Sequence, residues 1–383
     1  MERTARTHAL DWLRVGGTGA VLLFHSARFF DAGDWHVKNP TIDPNLDIFA
    51  TILIQWLMPL FFILSGAGAW MALQRQSAGK FAASKVTRLF VPLLFGVLVL
   101  APPQVYLERL THNQYTGSFL SWLPQYVDGM YAFGGNFAWM GLHLWYLLVL
   151  FIWSIVTLPL CLALKNSAAQ RAAAFLARPG MAFLLVLPVL ALELALDPGS
   201  LLAVKSMGGW SPLVYVIFYM FGFLLPADER LPRALVRLWP VAAALAVIIP
   251  VAILATDTDI NNLPYPSAQF ALITALRDLN GVSWLFAIIG LGYRYLTFNN
   301  RFLEAANEAT LPFYTLHQTV LIILGSFVVQ LQWPNLAKYA FIAPTATVVI
   351  LAIYFLLIKP FRITRYLFGL KTSKRGAERR PAA

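Results

Sequence analysis

Charged residues and cysteine are both scarce in this chain. Asp, Glu, Lys and Arg make up 12% of the 383 residues, whereas 59% of the residues are hydrophobic. Because a soluble domain has about 25% charged residues, the composition excludes an ordinary soluble protein and predicts an integral membrane protein. The single cysteine, Cys161, excludes an intrachain disulfide and leaves the redox compartment open.

The short motifs of many soluble enzymes are also missing. The sequence has no zinc-type cluster, no glycine-rich nucleotide-binding loop and no Gly-x-Ser-x-Gly nucleophile elbow. We therefore expect neither a bound metal nor a bound cofactor. The first apolar segment is not expected to be a signal peptide, because it is long, contains Arg and His, and precedes many further apolar segments.

Long apolar runs fill most of the sequence. Since about 20 residues cross the hydrocarbon of a bilayer, we predict an all-α polytopic membrane protein with about ten transmembrane helices. These form one domain, residues 1–370, followed by a basic, disordered cytoplasmic tail, 371–383. The spans are predicted near residues 10–30, 47–72, 87–104, 142–164, 181–197, 212–226, 235–255, 272–297, 310–331 and 338–360.

Loop charges predict the orientation of the spans. If the N-terminus is cytoplasmic, 22 of the 29 Lys and Arg residues fall on the cytoplasmic side, as the positive-inside rule requires. Both termini are then cytoplasmic, and the protein is a multi-pass protein of the inner (plasma) membrane. The net charge of +11 is explained by cytoplasmic loops and anionic lipids, so no nucleic acid partner is expected. The acidic residues lean outward, at Asp31, Asp34, Asp43, Asp47, Asp257 and Asp259.

The longest loop is predicted on the outer side, at residues 105–141. Loops of this length are usually functional or disordered. Its aromatic residues, among them Trp122, Tyr126, Tyr131 and Trp139, argue against disorder.

The first predicted span carries Arg14 and His25. Arg costs about 2.5–3.5 kcal/mol at the centre of a membrane helix, so a chain that keeps two ionisable groups in one span is expected to use them. Eleven residues at about 100° each return to nearly the same helix face, and they separate the two groups by roughly 16 Å. The orientation places Arg14 in the inner leaflet and His25 just outward of the midplane.

Both residues have structural alternatives. Arg14 can extend its guanidinium to the interface, and His25 can simply form a hydrogen bond to a neighbouring helix. In a functional interpretation, a neutral imidazole is a competent general base near pH 7. A guanidinium in the inner leaflet suits a phosphate or a carbonyl oxygen.

The second span contains MPLFFILSGAGAW, residues 58–70. Ser65 with Gly66 and Gly68 forms a small-residue patch where another backbone or an acyl chain can approach closely. Tight helix packing is the alternative for the glycines. Nothing nearby in the sequence would activate Ser65 as a nucleophile.

A basic segment, KFAASKVTRLFVP, precedes the third span. Lys80, Lys85 and Arg88 form either ordinary positive-inside charge or a docking patch for a phosphorylated cytoplasmic ligand.

Two further segments place polar aromatic residues in or near spans. GLHLWYLLVLF contains His143 and Trp145, which can also serve as interfacial anchors. NEATLPFYTLHQTV contains Tyr314, His317 and Gln318 about one helical turn apart; His317 can also be a buried histidine satisfied by its neighbours. Near one end of the eighth predicted span lies Arg277, beside Asp278.

Together these segments resemble the acyltransferase-3 family of integral membrane proteins, which includes glycan O-acetylases and succinyltransferases of periplasmic glucans. LDWLR followed by His25 resembles the Arg-(ten residues)-His signature of that family, and MPLFFILSG resembles its Phe-Phe-x-x-Ser-Gly motif. The segment ending RLFVP, the segment HLWYLLVLF and the segment FYTLHQTV resemble the corresponding parts of the family, in the same order along nearly the whole chain.

Some features depart from the family pattern. Lys85 and Arg88 replace an Arg-x-x-Arg pair, which keeps the charge but changes the geometry of anion binding. HLWYLLVLF replaces the Trp-Ser-Leu-x-x-Glu type segment of some glycan O-acetylases. We expect no appended hydrolase-like domain.

The resemblance implies a membrane-embedded O-acyltransferase. Acyl-CoA, as acetyl-CoA or succinyl-CoA, would be the cytoplasmic co-substrate, with Lys80, Lys85, Arg88 and Ser65 on its binding path. His25 would be the catalytic base and Arg14 would orient the donor or stabilise its carbonyl oxygen. The acceptor would be an extracytoplasmic glycan, a glycolipid or a small hydroxylated molecule. Substrate-binding candidates are His143, Trp145, Tyr314, His317 and Arg277.

Two other functions fit the same residues. Ten spans with intramembrane His and Arg permit a transporter or flippase of a glycan or lipid, although neither inverted repeats nor broken midplane helices are evident in the sequence. An acyltransferase-like scaffold without activity is the third possibility.

Overall fold

The computed structural model describes residues 3–256 and 263–371, with side chains from residue 8 onward. These residues are almost entirely helical and contain no β-strand, only an isolated bridge between Met130 and Phe137. The predicted all-α fold class is therefore confirmed for the described part of the chain. Asp257, Asp259 and the predicted tail from residue 372 onward lie outside the described residues.

Each predicted span coincides with a helical segment. Two of the segments are bent: the fourth by 52° at Thr157 and the fifth by 114° between Leu176 and Met181. In chain order the segments are α1 (Arg3–Ala27), α2 (Pro44–Leu73), α3 (Ala78–Thr111), α4 (Leu142–Val156 with Leu158–Leu164), α5 (Ser167–Leu176 with Met181–Ala195), α6 (Val214–Leu224), α7 (Arg230–Leu254), α8 (Ala268–Tyr295), α9 (Arg301–Val328) and α10 (Asn335–Ile358).

Fewer segments qualify as membrane spans than the ten predicted. Six helices in the described residues are long and apolar enough to cross a membrane, or up to eight if each bent pair is one span. Helix α1 is outside this set because Asp11, Arg14 and His25 lower its apolar character, and α6 is outside it because it has only 11 residues. The structure thus supports a polytopic membrane protein, while the number ten and the cytoplasmic termini stay predictions.

Helix α3 is longer than predicted at both ends. It continues to Thr111, so the connection to α4 consists of residues 112–141, which we call loop 112–141. Two π-helical turns, Val86–Phe90 and Gly96–Leu100, interrupt α3. Each turn ends close before a proline, Pro92 or Pro102. Proline has no amide hydrogen for the regular ladder, so a local change in helical pitch is expected nearby.

Contacts divide the chain into two compact units. The first comprises Met1–Ala27, Pro44–Ala82 and Val149–Asn307. In it α7 packs on α8, α6 packs on α2, and α1 packs on α2 and α8. Glycines lie at these crossings, as expected where membrane helices approach closely: a Cβ on Gly17 would meet the Phe61 ring at 3.1 Å, and a Cβ on Gly292 would meet Leu13 at 2.9 Å.

The second unit comprises Arg28–Asp43, Ala83–Leu148 and Glu308–Ala383. It contains most of α3, the first turns of α4, most of α9, α10 and loop 112–141. The loop is not extended chain but a folded cap. Its buried core is Trp122, Tyr126 and Ala138, packed with Ala101 and Val105 of α3.

Candidate functional site

Arg14 and His25 lie on the same uninterrupted helix, α1, in the first unit. Their predicted placement near one helix face therefore holds for the described backbone. Arg14 is ion-paired: its Nη1 donates to Asp11 Oδ1 at 2.8 Å and to Asn307 Oδ1 at 3.2 Å. The guanidinium is 30% exposed, so it is held in place and still partly accessible.

The ring of His25 is oriented by its own helix. Its Nδ1 lies 3.0 Å from the carbonyl oxygen of Val21. A carbonyl can only accept, so Nδ1 carries the hydrogen and Nε2 carries the lone pair. This tautomer gives Nε2 the capacity to take up a proton. The adjacent Phe24 ring packs edge-on to the imidazole, with ring centroids 5.0 Å apart.

Asp11 was absent from the sequence-based candidates. The i, i+3 spacing of Asp11 and Arg14 on a predicted helix is a readable signal for an ion pair. Thr18 continues the same face and donates to the Arg14 carbonyl oxygen at 2.9 Å. The polar face of α1 therefore contains Asp11, Arg14, Thr18 and His25.

Ser65 lies beside the crossing of α2 and α6 in the first unit. A Cβ on Gly66 would overlap the carbonyl oxygen of Tyr219, and a Cβ on Gly222 would overlap that of Ile63. The glycine next to Ser65 is thus required by packing, which was the structural alternative. Gly68 has nothing within 4 Å of the Cβ position. The contribution of Ser65 to donor binding stays a prediction.

The basic segment occupies the first turns of α3. Lys80 and Arg88 are exposed, and Lys85 is half-buried. Lys80 belongs to the first unit, whereas Lys85 and Arg88 belong to the second. The backbone of Arg88 contacts the chain near Gly369, where a Cβ would lie 3.0 Å from the Arg88 carbonyl oxygen.

Arg277 belongs to an ion-pair network of the first unit. Its Nη1 lies 3.4 Å from Glu193 Oε2, which also accepts from Lys205 Nζ at 2.7 Å. Its Nη2 donates to the Gly209 carbonyl oxygen at 2.5 Å, and the guanidinium lies 4.8 Å from the centre of the Trp210 ring. Burial and repulsion from Arg277 lower the pKa of Lys205, while Glu193 opposes that shift.

The predicted residues His143, Tyr314 and His317 meet in the second unit. The imidazole rings of His143 and His317 pack edge-on with centroids 5.0 Å apart. His143 Nε2 donates to the Thr315 carbonyl oxygen at 3.1 Å, which leaves its buried Nδ1 as an acceptor without a hydrogen-bond partner. Tyr314 donates to the His143 carbonyl oxygen.

Two further contacts belong to this histidine cluster. His317 Nδ1 lies 2.5 Å from the Tyr314 carbonyl oxygen, so its Nε2 carries the lone pair. Tyr146 of α4 packs against Tyr314, with ring centroids 5.7 Å apart. Trp145, a predicted substrate-binding residue, is half-buried one position earlier.

A second polar cluster in the same unit was missed by sequence reasoning. His36 and Glu108, 8% and 7% exposed, are hydrogen-bonded to each other through Nδ1 and Oε2. The Tyr131 hydroxyl donates to the same carboxylate oxygen at 2.6 Å, and Arg109 Nη1 donates to the other oxygen at 3.1 Å. We call His36, Glu108, Arg109 and Tyr131 the Glu108 cluster.

Buried amides extend the Glu108 cluster towards α9. The Gln318 amide donates to His36 Nε2 at 3.1 Å and to Gln104 Oε1 at 3.0 Å. Gln104 in turn donates to the Thr319 hydroxyl at 2.8 Å. Adjacent residues of α9 therefore contact the two clusters of the second unit: His317 belongs to the histidine cluster, and Gln318 donates to His36 of the Glu108 cluster.

The Glu108 cluster also fastens loop 112–141 to α3. Arg109 Nε donates to Asn136 Oδ1 at 2.9 Å, and its Nη2 donates to the Gly135 carbonyl oxygen at 2.7 Å. Burial, and then the charge of Glu108, raise the pKa of Tyr131. The phenol is therefore neutral and acts as a donor to the carboxylate.

No group of three or more potential metal ligands occurs within residues 3–256 and 263–371. The clusters described above bring together imidazoles, carboxylates and guanidinium groups. Such groups suit proton transfer and the stabilisation of oxyanions.

Sequence comparison identifies relatives over most of the chain. A family model described as "Acyltransferase domain" (acyltransferase-3) matches residues 7–355. Proteins named "Glucans biosynthesis protein C" from Salmonella paratyphi A, Salmonella agona and Salmonella heidelberg are each 24% identical to this chain over 346 residues. These matches cover 84% of this chain and 84% of each relative. No solved structure matches the chain.

Proposed function

The chain belongs to the acyltransferase-3 family, and from this premise we propose that it is an O-acyltransferase of the inner membrane. It moves an acyl group from cytoplasmic acyl-CoA to a hydroxyl of an extracytoplasmic glycan or similar acceptor. The relatives named for glucan biosynthesis support a glycan acceptor. A glycolipid or a small hydroxylated molecule is the alternative acceptor class.

The polar face of α1 carries this proposal. It holds Arg14, fixed by Asp11 and Asn307, and His25 with a proton-accepting Nε2, on one helix about 16 Å apart. In the proposed reaction the acceptor hydroxyl gives its proton to His25 Nε2 while its oxygen attacks the thioester carbonyl. The carbon–sulfur bond then breaks, and the coenzyme A thiolate takes the proton from His25.

Arg14 has an electrostatic role in this mechanism. Negative charge develops on the thioester carbonyl oxygen during attack, and a fixed cation stabilises that charge. Alternatively the guanidinium orients the donor by binding a phosphate of coenzyme A. The ion pair with Asp11, which lies on the side of Arg14 away from His25, favours the donor-orienting role, because it restricts the guanidinium at a distance from the proposed base.

The basic residues at the start of α3 are proposed to bind the donor. Lys80 and Arg88 are exposed cations that can contact the phosphates of acyl-CoA. We expect Lys85→Glu with Arg88→Glu to raise the donor KM. The insertion of the variant in the membrane must be compared with that of the native protein, since loop charges also direct topology. An unaltered KM in a correctly inserted variant would refute this role.

The buried histidine cluster and Arg277 are proposed to bind substrate. The unpartnered Nδ1 of His143 can accept a hydrogen bond from a hydroxyl, and His317 and Tyr314 define the surroundings of that nitrogen. Trp145 of the same unit and, separately, Arg277 of the first unit are further proposed substrate-binding residues. Exchange of His143 for Gln is expected to raise the acceptor KM more than the donor KM.

The test is acyl transfer by the purified protein in lipid vesicles. Labelled acetyl-CoA and succinyl-CoA are supplied with a glucan acceptor, and both acylated product and free coenzyme A are measured. We expect His25→Ala to abolish transfer, and His112→Ala, which changes an exposed histidine outside the helices, to preserve it. Unchanged transfer by the His25 variant would overturn the mechanism.

One observation favours the alternative function of transport. Helices α4 and α5 are bent by 52° and 114°, and broken helices are typical of transporters. The same assay separates the two functions. A transferase releases coenzyme A only when an acceptor is present, whereas a transporter or flippase moves the glycan or lipid without releasing coenzyme A.

A further inference from the structure

Loop 112–141 contains an apolar segment without charge. Between Leu110 and Val127 the chain has no Asp, Glu, Lys or Arg. The segment forms two short helical turns, Phe119–Trp122 and Leu123–Val127, and the Ser118 side chain caps the first by accepting from the Ser121 amide. Two apolar faces result, because side chains three and four positions apart share a face.

One of these faces is buried in the protein. Phe119, Trp122 and Tyr126 pack against each other and against the side of α3. The Tyr126 hydroxyl donates to the Val97 carbonyl oxygen at 2.7 Å. The Tyr106 hydroxyl of α3 donates to the Gly117 carbonyl oxygen at 2.8 Å. The segment is therefore fixed to α3, and its second face cannot rotate inward.

The second face is exposed and equally apolar. Leu120 is 78% exposed, Leu123 is 40% exposed and Val127 is 71% exposed, so both short turns present exposed apolar side chains. Met130 at 54% and Phe133 at 74% are also exposed, beyond the end of the second turn and the exposed Asp128. We call these five residues the Leu120 row. Contiguous exposed apolar side chains on a fixed surface mark a contact with a lipid or protein partner.

We propose that the Leu120 row is immersed in the interfacial region of the bilayer, in the leaflet where α3 ends. The helix to which the segment is fixed also has exposed apolar residues. Leu94, Leu98 and Leu110 of that helix are exposed apolar residues, and Leu110 precedes Leu120 by only ten positions. The absence of charge from Leu110 to Val127 removes the main obstacle to immersion of Leu120, Leu123 and Val127.

Lipid is a better occupant than a protein partner for this face. The row has no charged or hydrogen-bonding side chain that would select a protein surface, whereas Leu and Phe beside Tyr and Trp are typical of segments that lie in a membrane interface. Immersion would hold the aromatic core of loop 112–141 at the depth of the lipid headgroups.

The proposal is tested by measuring depth with spin labels. The chain has one cysteine, Cys161, which is buried, so Cys161→Ser provides a cysteine-free background. Single cysteines at Leu120, Val127, Gln125 and Asp128 are labelled in the full-length protein in phosphatidylglycerol–phosphatidylethanolamine vesicles. Gln125 and Asp128 are exposed polar positions of the same segment and serve as matched controls.

Two collision reagents then report the surroundings of each label. Oxygen concentrates in hydrocarbon, and a neutral nickel chelate stays in water. We expect the ratio of oxygen to nickel collision rates to be several-fold higher at positions 120 and 127 than at positions 125 and 128. Equal ratios with high nickel collision rates would place the row in water and overturn the proposal. Low collision rates for both reagents would indicate a protein cover and would also overturn it.

A second measurement uses the unmodified chain. A phospholipid with a photoreactive diazirine on the upper acyl chain is added to the same vesicles, and labelled peptides are identified by mass spectrometry. We expect labels on the peptide that contains Leu120–Val127 as well as on α3. Labels on α3 alone would contradict immersion, even if the cysteine variants did not fold.

Discussion

His36 donates a hydrogen bond to Glu108, a residue 72 positions further along the chain. The same carboxylate accepts from Tyr131 and Arg109, so the segment 28–43, helix α3 and loop 112–141 converge on one buried anion. A buried carboxylate without hydrogen-bond donors is destabilising, and so are buried donors that lose their acceptor. The Glu108 cluster is therefore expected to behave as a unit in mutagenesis.

The first prediction concerns the stability of this cluster. Glu108→Ala leaves His36, Arg109 and Tyr131 without their shared acceptor. Removal of one partner from a buried ion pair costs about 3–5 kcal/mol. We expect a clearly lower melting temperature in detergent micelles. Asp128→Ala, which removes an exposed acid from the same loop, should leave it unchanged. Equal melting temperatures for the two variants would show that Glu108 does not hold the loop.

Helices were more predictable from the sequence than membrane spans. The ten apolar runs all became helices, because runs of this length satisfy their backbone within one segment. The transmembrane count was harder to predict because α1 contains Asp11, Arg14 and His25, and α6 has only 11 residues. The bends in α4 and α5 were not predicted, since hydropathy does not report helix direction.

The candidate site was predictable where its residues share one helix and unpredictable where they come from distant segments. Arg14 and His25 are eleven positions apart on one helix, so helical periodicity relates them. His143, Tyr314 and His317 were predicted as substrate-binding residues without their mutual contacts. The Glu108 cluster brings together His36 and Glu108, which are 72 positions apart in the sequence. Gln318, which donates to His36, lies 282 positions from it. No local pattern in one sequence reports such distances, although a Glu at the end of an apolar run was an available signal.

The second prediction follows from the buried phenol of Tyr126. Burial raises the pKa of Tyr126 from 10.0 to about 12. The folded protein therefore keeps this proton between pH 10 and 12, where the unfolded chain loses it, and stability falls as pH rises through that range. Tyr126→Phe also removes the hydrogen bond to the Val97 carbonyl oxygen, which costs about 1 kcal/mol at pH 8.

The difference in stability between the native protein and Tyr126→Phe is therefore expected to change with pH. The native protein should be more stable than Tyr126→Phe at pH 8, because it keeps the hydrogen bond to Val97. This advantage should shrink by pH 11, because only the native sequence has a Tyr126 proton that the unfolded chain releases and the folded protein retains. Chemical denaturation at pH 8, 10 and 11 measures the difference. A gap that stays constant from pH 8 to 11 would contradict the raised pKa of Tyr126.

The third prediction tests whether Asp11 positions Arg14, and it depends on the proposed acyltransferase activity. Asp11→Asn keeps a hydrogen-bond acceptor but removes the charge that faces the guanidinium. We expect kcat/KM for acyl-CoA to fall about tenfold, which corresponds to about 1.4 kcal/mol of transition-state stabilisation. Asp34→Asn, at an exposed acid, is the control and should keep native kinetics.

The result for Asp11 also separates positioning from folding. A variant that merely folds poorly would lose kcat for all substrates together with its melting temperature. A positioning effect changes the donor kinetics at an unchanged melting temperature. Native donor kinetics in Asp11→Asn would show that the ion pair has no part in orienting Arg14.

The fourth prediction compares two glycines of the motif beside Ser65. A Cβ on Gly66 would overlap the Tyr219 carbonyl oxygen and lie 2.8 Å from the Phe223 amide nitrogen, so Gly66→Ala must push α6 away from α2. Overpacking of this kind costs about 1–3 kcal/mol. A Cβ on Gly68 would have nothing within 4 Å. Alanine also favours a helix over glycine by about 1 kcal/mol.

We therefore expect Gly66→Ala to lower the melting temperature and Gly68→Ala to leave it unchanged or raise it. The pair is well matched, because both positions lie in α2, two residues apart, and both receive the same methyl group. If both variants lost transfer activity while only Gly66→Ala lost stability, open space at Gly68 would be needed for the reaction itself. A stable Gly66→Ala variant would contradict the close approach of α2 and α6, because the Tyr219 backbone has no rotamer with which to avoid the methyl group.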